Sequence, residues 1–235
     1  MTPGEIVTIN KHGVKSRSFS ALNTLCKCVF EHIYFSRPDS IVFGESVYNI
    51  RRKLGSQLAE EQPANADMVI PIPDSGNCAA LGFSERSGIP YAYGLIRNHY
   101  VGRTFIQATT LAREIGVKIK LSPVKELIAG KRIVVVDDSI VRGTTSKKIV
   151  KMLKSAGAKE IHFRSSAPPY KFPCFYGVDT PNREYLIAAN HSIEDIKRFL
   201  GVASLGYLSL DGLLKVVGGM PENRRNGYCT ACFDG

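Results

Sequence analysis

One segment restricts the fold of this chain more than any other. Ile133–Val136 (IVVV) runs directly into Asp137 and Asp138 and then into Ser139–Ser146 (SIVRGTTS). An uninterrupted apolar run this short suits a strand buried on both faces, as in a parallel sheet. After the loop, Ile149, Val150 and Leu153 take up helical spacing from about 145 to 156, and Gly157 serves as the stop. A second unit repeats the order. Met68–Ile72 is apolar, PDSGN follows at 73–77, and Ala79–Glu85 suits a helix. Ile161–Ser165 reads as another strand and Tyr185–Ala188 as one more. Val47, Ile50, Leu54 and Leu58 share one face of a helix over 45–62, and Ser192 with Asp195 makes a capping-box start for a helix to about Leu200. Strands alternating with helices predict an α/β fold, a mainly parallel sheet flanked by helices. Ligands of such sheets lie beyond the carboxyl ends of the strands, where both PDSGN and DDSIVRGTTS emerge.

Composition narrows the ligand. The 235 residues carry a formal net charge of +10, which draws polyanions, either nucleic acid or a multiply phosphorylated small molecule. The basic residues are dispersed, with no arginine-rich tail, interleaved aromatic-basic patch or helix-turn-helix, so no nucleic-acid partner is expected. No apolar run approaches the ~18 residues of a membrane span, and MTPGEIVTIN is no signal peptide, so a soluble, cytoplasmic chain without membrane contact is expected. EIVTIN at 5–10, with a polar turn at Lys11–Gly13, reads as an edge piece. Residues 91–131 show no single period and read as an excursion over the site.

The chemistry lies in the two loops. A phosphate monoester needs several donors converging on one point, and a tight loop entering a helix supplies backbone N–H groups and a favourable dipole there. Gly143 permits close backbone approach, and the hydroxyls of Ser139, Thr144 and Thr145 add donors. Asp137 and Asp138 can accept from neighbouring ribose hydroxyls and share Mg²⁺ with substrate oxygens. Neither a G-x-x-x-x-G-K-[ST] loop nor a G-x-G-x-x-G is present. The plainer alternative, a strand whose aspartates cap the next helix, requires only one acid. Pro-Asp-Ser-Gly by itself is ordinary turn chemistry and gains meaning only beside the second loop. Among six cysteines, Cys229-x-x-Cys232 is compatible with zinc, redox or cluster chemistry.

The strand, acidic pair and hydroxyl-rich loop resemble the phosphoribosyl pyrophosphate (PRPP) motif of type I phosphoribosyltransferases. More closely, the chain resembles the amidophosphoribosyltransferase (glutamine PRPP amidotransferase) family, through EHIYFSRPDS at 31–40, PIPDSGN at 71–77, YVGRTFIQ at 100–107, VVVDDSIVRGTTS at 134–146, PPYKFPCFYGVD at 168–179 and YCTACF at 228–233. That resemblance implies a type I phosphoribosyltransferase fold with a flexible loop over the site. It also implies formation of 5-phosphoribosylamine and pyrophosphate from PRPP and ammonia, the first step of purine nucleotide synthesis. Asp74, Ser75, Gly76 and Asn77 would form the pyrophosphate loop, with Ser75 near Mg²⁺. Asp137 and Asp138 would hold the ribose hydroxyls and Mg²⁺. The run Ser139, Ile140, Val141, Arg142, Gly143, Thr144 and Thr145 would cradle the 5-phosphate. Tyr100, Arg103 and Thr104 would lie on the closing loop, with Arg103 the donor to the leaving group and Lys118, Lys120 and Lys131 weaker candidates. Some family members bind a 4Fe–4S cluster through cysteines placed as Cys28, Cys174, Cys229 and Cys232 are here; Cys26 and Cys78 fall outside that set and read as small hydrophobes.

The family's amino-terminal glutaminase domain has no counterpart in this sequence. Residues 1–25 read as the end of that domain and a linker, 26–210 as the phosphoribosyltransferase domain, and 211–235 as a segment carrying the CxxC. Ammonia is therefore the expected nitrogen donor, with a glutaminase domain or subunit as a possible partner. The family also implies homo-oligomers and feedback inhibition by purine nucleotides. Two other functions fit the same loops: a base-salvage phosphoribosyltransferase, and a non-catalytic sensor of PRPP or nucleotides.

Overall fold

The computed structural model describes residues 4–19, 26–98, 121–180, 182–218 and 227–235. The strands are β1 (Glu5–Asn10), β2 (Gly13–Ser18), β3 (Lys27–Cys28), β4 (Ile41–Val42), β5 (Glu45–Ser46), β6 (Met68–Pro71), β7 (Leu95–Arg97), β8 (Leu121–Pro123), β9 (Arg132–Asp137), β10 (Glu160–Ser165), β11 (Ser204–Tyr207) and β12 (Tyr228–Cys229). The helices are α1 (Val47–Glu61), α2 (Asn77–Ser87), α3 (Lys125–Ile128), α4 (Thr144–Ser155), α5 (Ile187–Asn190), α6 (Ile193–Leu200), α7 (Leu210–Val216) and α8 (Ala231–Asp234).

A four-stranded parallel sheet in the order β11–β10–β9–β6 carries the core. The apolar run of β9 divides by strand alternation. Ile133 and Val135 pack with Ile70, Phe163, Ile149, Leu153 and Ile196 on one face. Val134 and Val136 pack with Ile50, Leu54, Leu58, Ala79 and Phe83 on the other. Helices therefore cover both faces, the arrangement that a continuous hydrophobic strand requires. On the second face α1 and α2 meet backbone to backbone. A Cβ on Gly55 would lie 1.8 Å from the Ala79 carbonyl oxygen, and one on Gly82 would lie 1.8 Å from that of Arg52.

The expected helices form at 47–61, 77–87, 144–155 and 193–200, the last with its capping box: Ser192 Oγ accepts from the Asp195 amide, and the Asp195 carboxylate accepts from that of Ser192. The strand expected at Tyr185–Ala188 is absent. Arg183–Tyr185 is a 3₁₀ turn and Ile187–Asn190 a short helix. The Asn190 side-chain amide donates to the carbonyls of Arg183 and Leu186, at 2.9 Å each, and closes these turns. The place beside β10 is instead taken by β11, which the sequence reading left unassigned. Its SLGY is short and holds Gly206, where a Cβ would meet the Gln62 and Arg164 side chains.

Arg164, 3 % exposed, is held without a carboxylate partner among the described residues. It donates to the carbonyls of Gln62, Phe163 and Pro63 and to Ser204 Oγ. Burial lowers its pKa to about 10. Beyond the sheet, β1 and β2 form a largely exposed hairpin, β7 pairs with β8, and β12 pairs in parallel with β3, which brings the CxxC back to Cys28. No helix among the described residues is long and apolar enough to cross a membrane.

Gly55→Ala should cost about 2–3 kcal/mol in chemical denaturation, because neither facing backbone can yield. An unchanged midpoint would contradict the close packing of α1 and α2. Burial also holds the His162 pKa below its ordinary value of 6.5, outweighing the Glu160 carboxylate. The unfolded chain then takes up the proton first, so this histidine costs stability as the pH falls through and below 6.5. Stability measured from about pH 7 to 5.5 should fall less in His162→Gln than in the parent.

Candidate functional site

Both loops singled out in the sequence emerge from the carboxyl ends of adjacent strands, β6 and β9. Two adjoining cavities, of about 470 and 610 Å³, open there. The first is lined by Ser75, Asp137, Asp138, Ser139 and the run Val141–Ser146. The second is lined by Asp74, Ser75, Arg37, Arg51 and Arg97. Ser75, Thr145, Ile72, Tyr34 and Phe35 belong to both.

The acidic pair stands where the loops meet. Ser139 Oγ donates to Asp138 Oδ1 at 2.5 Å, and the Ser75 hydroxyl donates to the same carboxylate from the neighbouring loop. The Asp138 amide donates to Asp137 Oδ1 at 3.0 Å. Burial pushes the Asp137 pKa well above the usual carboxylate value, and the adjacent Asp138 charge pushes it further. Burial also raises Asp138, against the two serine hydroxyls and the positive charge of Arg51. Two desolvated like charges side by side are costly unless a cation or several donors join them.

The loop at 73–77 is pressed onto β9. The Ile72 amide donates to the Val136 carbonyl at 2.8 Å and the Gly76 amide to that of Ile72 at 2.9 Å. A Cβ on Gly76 would stand 2.4 Å from the Val136 oxygen, so only glycine fits this approach. Asp74 pairs with Arg97, and the Pro73–Asp74 peptide is cis. Asn77 opens α2; its Oδ1 is buried with no hydrogen-bond partner among the described residues. In the other loop Gly143 has φ +72° and caps α4, where a Cβ would meet Ile187 Cδ1 at 2.8 Å. The amides of the first turn of α4 therefore face the first cavity beside the hydroxyls of Thr144, Thr145 and Ser146. Ile140, 1 % exposed, anchors this loop in the core rather than lining the cavity.

Tyr100, Arg103, Thr104, Lys118 and Lys120 lie outside the described residues. Lys131 precedes β9 and so stands at the end of the sheet opposite the acidic pair, where its carbonyl accepts from Lys159; it contributes no donor to the site. The structure adds residues to which the sequence reading gave no role. Phe30, Tyr34 and Phe35 form an aromatic wall from a π-type turn at Glu31–Phe35, closed by the Ser36 amide to the Glu31 carbonyl at 3.2 Å. Tyr170 meets Phe30 edge-on at 5.6 Å, and Asp179 and Thr180 complete the rim. The motif segments at 31–40 and 168–179 marked Tyr34, Phe35, Tyr170 and Asp179 in advance, but not Phe30 or Thr180.

Behind Phe30 lie the cysteines. Cys28 and Cys229 are register partners on β3 and β12, and Cys232 follows on α8. Burial first, then Cys28 and Cys229, and also Cys174, push the Cys232 thiol far up, so the four are electrostatic neighbours. Among the described residues no three His, Cys, Asp or Glu side chains converge as ligands of a single metal ion. Cys78 is buried on α2, apart from this group, and Cys26 is exposed.

Residues 40–168 match the phosphoribosyl transferase domain family. The amidophosphoribosyltransferase of Synechococcus elongatus is 52% identical over all of this chain, and the chloroplastic amidophosphoribosyltransferase 1 of Arabidopsis thaliana is 53% identical over 99% of it. These matches cover 47% and 40% of the relatives, so the chain spans less than half their length. The glutamine PRPP amidotransferase of B. subtilis, solved with ADP and GMP, superposes with a TM-score of 0.86 at 51% identity, over 98% of this chain and 51% of that one.

Asp137→Asn keeps the acceptor for the Asp138 amide and removes one of the two buried charges. The ligand-free variant should be more stable than the parent at neutral pH by about 1 kcal/mol or more, and so melt higher. A lower melting point would mean that the carboxylate stabilises the ligand-free fold.

Proposed function

The chain belongs to the phosphoribosyl transferase domain family, and from that premise we propose that it transfers the phosphoribosyl group of PRPP to ammonia, giving 5-phosphoribosylamine and pyrophosphate. The observation that carries this reading is the meeting of the two loops at Asp138, whose carboxylate accepts from Ser139 of one and Ser75 of the other. A ligand with phosphate at one end and pyrophosphate at the other suits two adjoining cavities joined at an acidic centre.

In this reading the amides and hydroxyls of Ser139–Thr145 hold the 5-phosphate at the start of α4. The ribose hydroxyls donate to Asp137 and Asp138. The pyrophosphate lies along Asp74–Asn77, where Arg37 and Arg97 supply positive charge in the second cavity. The bond from the anomeric carbon to the pyrophosphate oxygen breaks, a C–N bond forms, and the amine loses a proton. Charge developing on the ring and on the leaving group favours a site with preset donors and little water. Arg103 and Tyr100 would act from the segment that closes over PRPP. Asp137, Asp138 and Ser75 fit Mg²⁺, since two buried carboxylates with raised pKa values and a hydroxyl form a hard oxygen donor set suited to a divalent cation. When bound, Mg²⁺ supplies charge neutralisation for pyrophosphate and the acids.

Cys28, Cys174, Cys229 and Cys232 would hold a 4Fe–4S cluster. Their grouping behind the aromatic wall is the observation behind this reading, since a cluster takes one thiolate per iron. When bound it supplies four covalent ties among β3, β12, α8 and the loop of Cys174. The curated relatives are about twice as long, and the nitrogen source of this chain is proposed as ammonia, with a glutaminase domain or subunit as its possible supplier.

Pyrophosphate release from PRPP with Mg²⁺ should occur with ammonium and fall by about 100-fold or more in Asp137→Asn, which loses a ligand-facing charge but not the fold. Full turnover in that variant, or turnover only with a free purine or pyrimidine base, would contradict the assignment. Anaerobic reconstitution should yield iron and sulfide bound in equal amounts, lost in Cys232→Ala.

A further inference from the structure

Arg51 takes no part in the proposed function, yet it is a buried cation whose charge is felt by Asp138. It lies on α1, 4 % exposed, and lines the second cavity. Its Nε donates to the His32 carbonyl at 2.8 Å and its Nη2 to the Ser36 carbonyl at 2.8 Å. These oxygens belong to opposite ends of the π-type turn Glu31–Phe35. Between them stand Ile33, buried in the core, and Tyr34 and Phe35, which line both cavities.

We infer that Arg51 is a positioning residue for the proposed transfer reaction: its guanidinium fork pins both ends of the π-type turn and so sets the aromatic wall of Tyr34 and Phe35 that keeps water from the transfer site. This rests on the function proposed above. A π-type turn is a poor helix by itself and persists where tertiary contacts hold it. The His32 and Ser36 carbonyls point at Arg51, so the turn is fixed from α1, the helix locked to α2 by Gly55 and Gly82. The planar fork is what the geometry needs, because two acceptors at different ends of a turn cannot both be met by the single point charge of a lysine with the same rigidity. Tyr34 and Phe35 are 51% and 42% exposed; Phe35 meets Phe30 at 5.2 Å and Tyr34 meets Phe35 at 5.7 Å, contacts that cover only part of each ring and depend on the turn that carries them. Loss of the fork would leave the wall mobile, and water would enter where ammonia is wanted.

The test compares the parent chain with Arg51→Lys and Arg51→Met in two measurements. The first is the partition of PRPP, with Mg²⁺, between ammonium-dependent phosphoribosylamine formation and ammonium-independent hydrolysis, followed as pyrophosphate release with and without ammonium. The second is hydrogen exchange of the amides of residues 32–36. Arg51→Met should shift the partition toward hydrolysis by about 10-fold or more while the KM for PRPP changes less, and Arg51→Lys should lie between. Exchange at 32–36 should quicken in both variants, with α2 and β9 unchanged. A folded Arg51→Met with parental partition and parental exchange overturns the inference. So does an equal loss in both arms with exchange quickened throughout α1, which marks a general packing role. If Arg51→Met does not fold, Arg51→Lys decides by the same criteria. Should the parent itself release no pyrophosphate, the proposed function fails. Exchange then still judges the clamp: local quickening sustains the hold of Arg51 on the turn, and none overturns it.

Discussion

The site depends on two carboxylates held out of water at the end of a strand that is buried on both faces. Each face of β9 is packed by its own set of helices, so the strand cannot shift to relieve the charges it delivers. Asp137 and Asp138 are therefore fixed in a place where ionisation is costly. The fold tolerates this because hydroxyls from two loops and the field of Arg51 meet Asp138, while the Asp138 amide donates to Asp137. A site of this kind is stabilised by a ligand that brings a cation and hydroxyl donors. That combination is what Mg²⁺ and a ribose offer.

Glycines decide how closely the two loops can come to this centre. Gly76 lets the 73–77 loop lie on the Val136 carbonyl, and Gly143 turns the second loop into α4 with a left-handed φ. Gly55 and Gly82, by contrast, act one layer away, joining α1 to α2 so that Arg51 projects from a rigid support. The aromatic wall, the acidic pair and the cysteine group thus follow one another in space. Tyr170 meets Phe30 edge-on and Phe233 stacks on it, and Phe233 lies next to Cys232 on α8.

Much of this was legible in the sequence, and for a physical reason. Strand, loop and helix are contiguous in the sequence at 68–87 and 132–155, so local patterning alone places Ser75, Asp138 and Thr144 at one end of the sheet. What was not legible came from distant contacts. Arg51 looks like any polar helix position until its partners at His32 and Ser36 are known. Arg37 reaches the site from a loop and Arg97 from the three-residue strand β7, segments too short to show a period of their own. Tyr185–Ala188 has strand-like residues, but Asn190 caps it into turns, and the short Ser204–Tyr207 becomes the strand because it reaches the open edge of β10. Sequence periodicity reports which face of an element is apolar, not which edge of the sheet is vacant.

The central claim is that the two loops form one site, bridged at the acidic pair, for a ligand bearing both phosphate and pyrophosphate. Calorimetric titration of the chain with Mg²⁺ and PRPP, beside ribose 5-phosphate and pyrophosphate alone, tests it directly. The account predicts that PRPP binds at least about 100-fold tighter than either fragment, since linking the two ends makes the second contact intramolecular, and that this advantage disappears without Mg²⁺. PRPP binding no tighter than ribose 5-phosphate, with or without the metal, would contradict it.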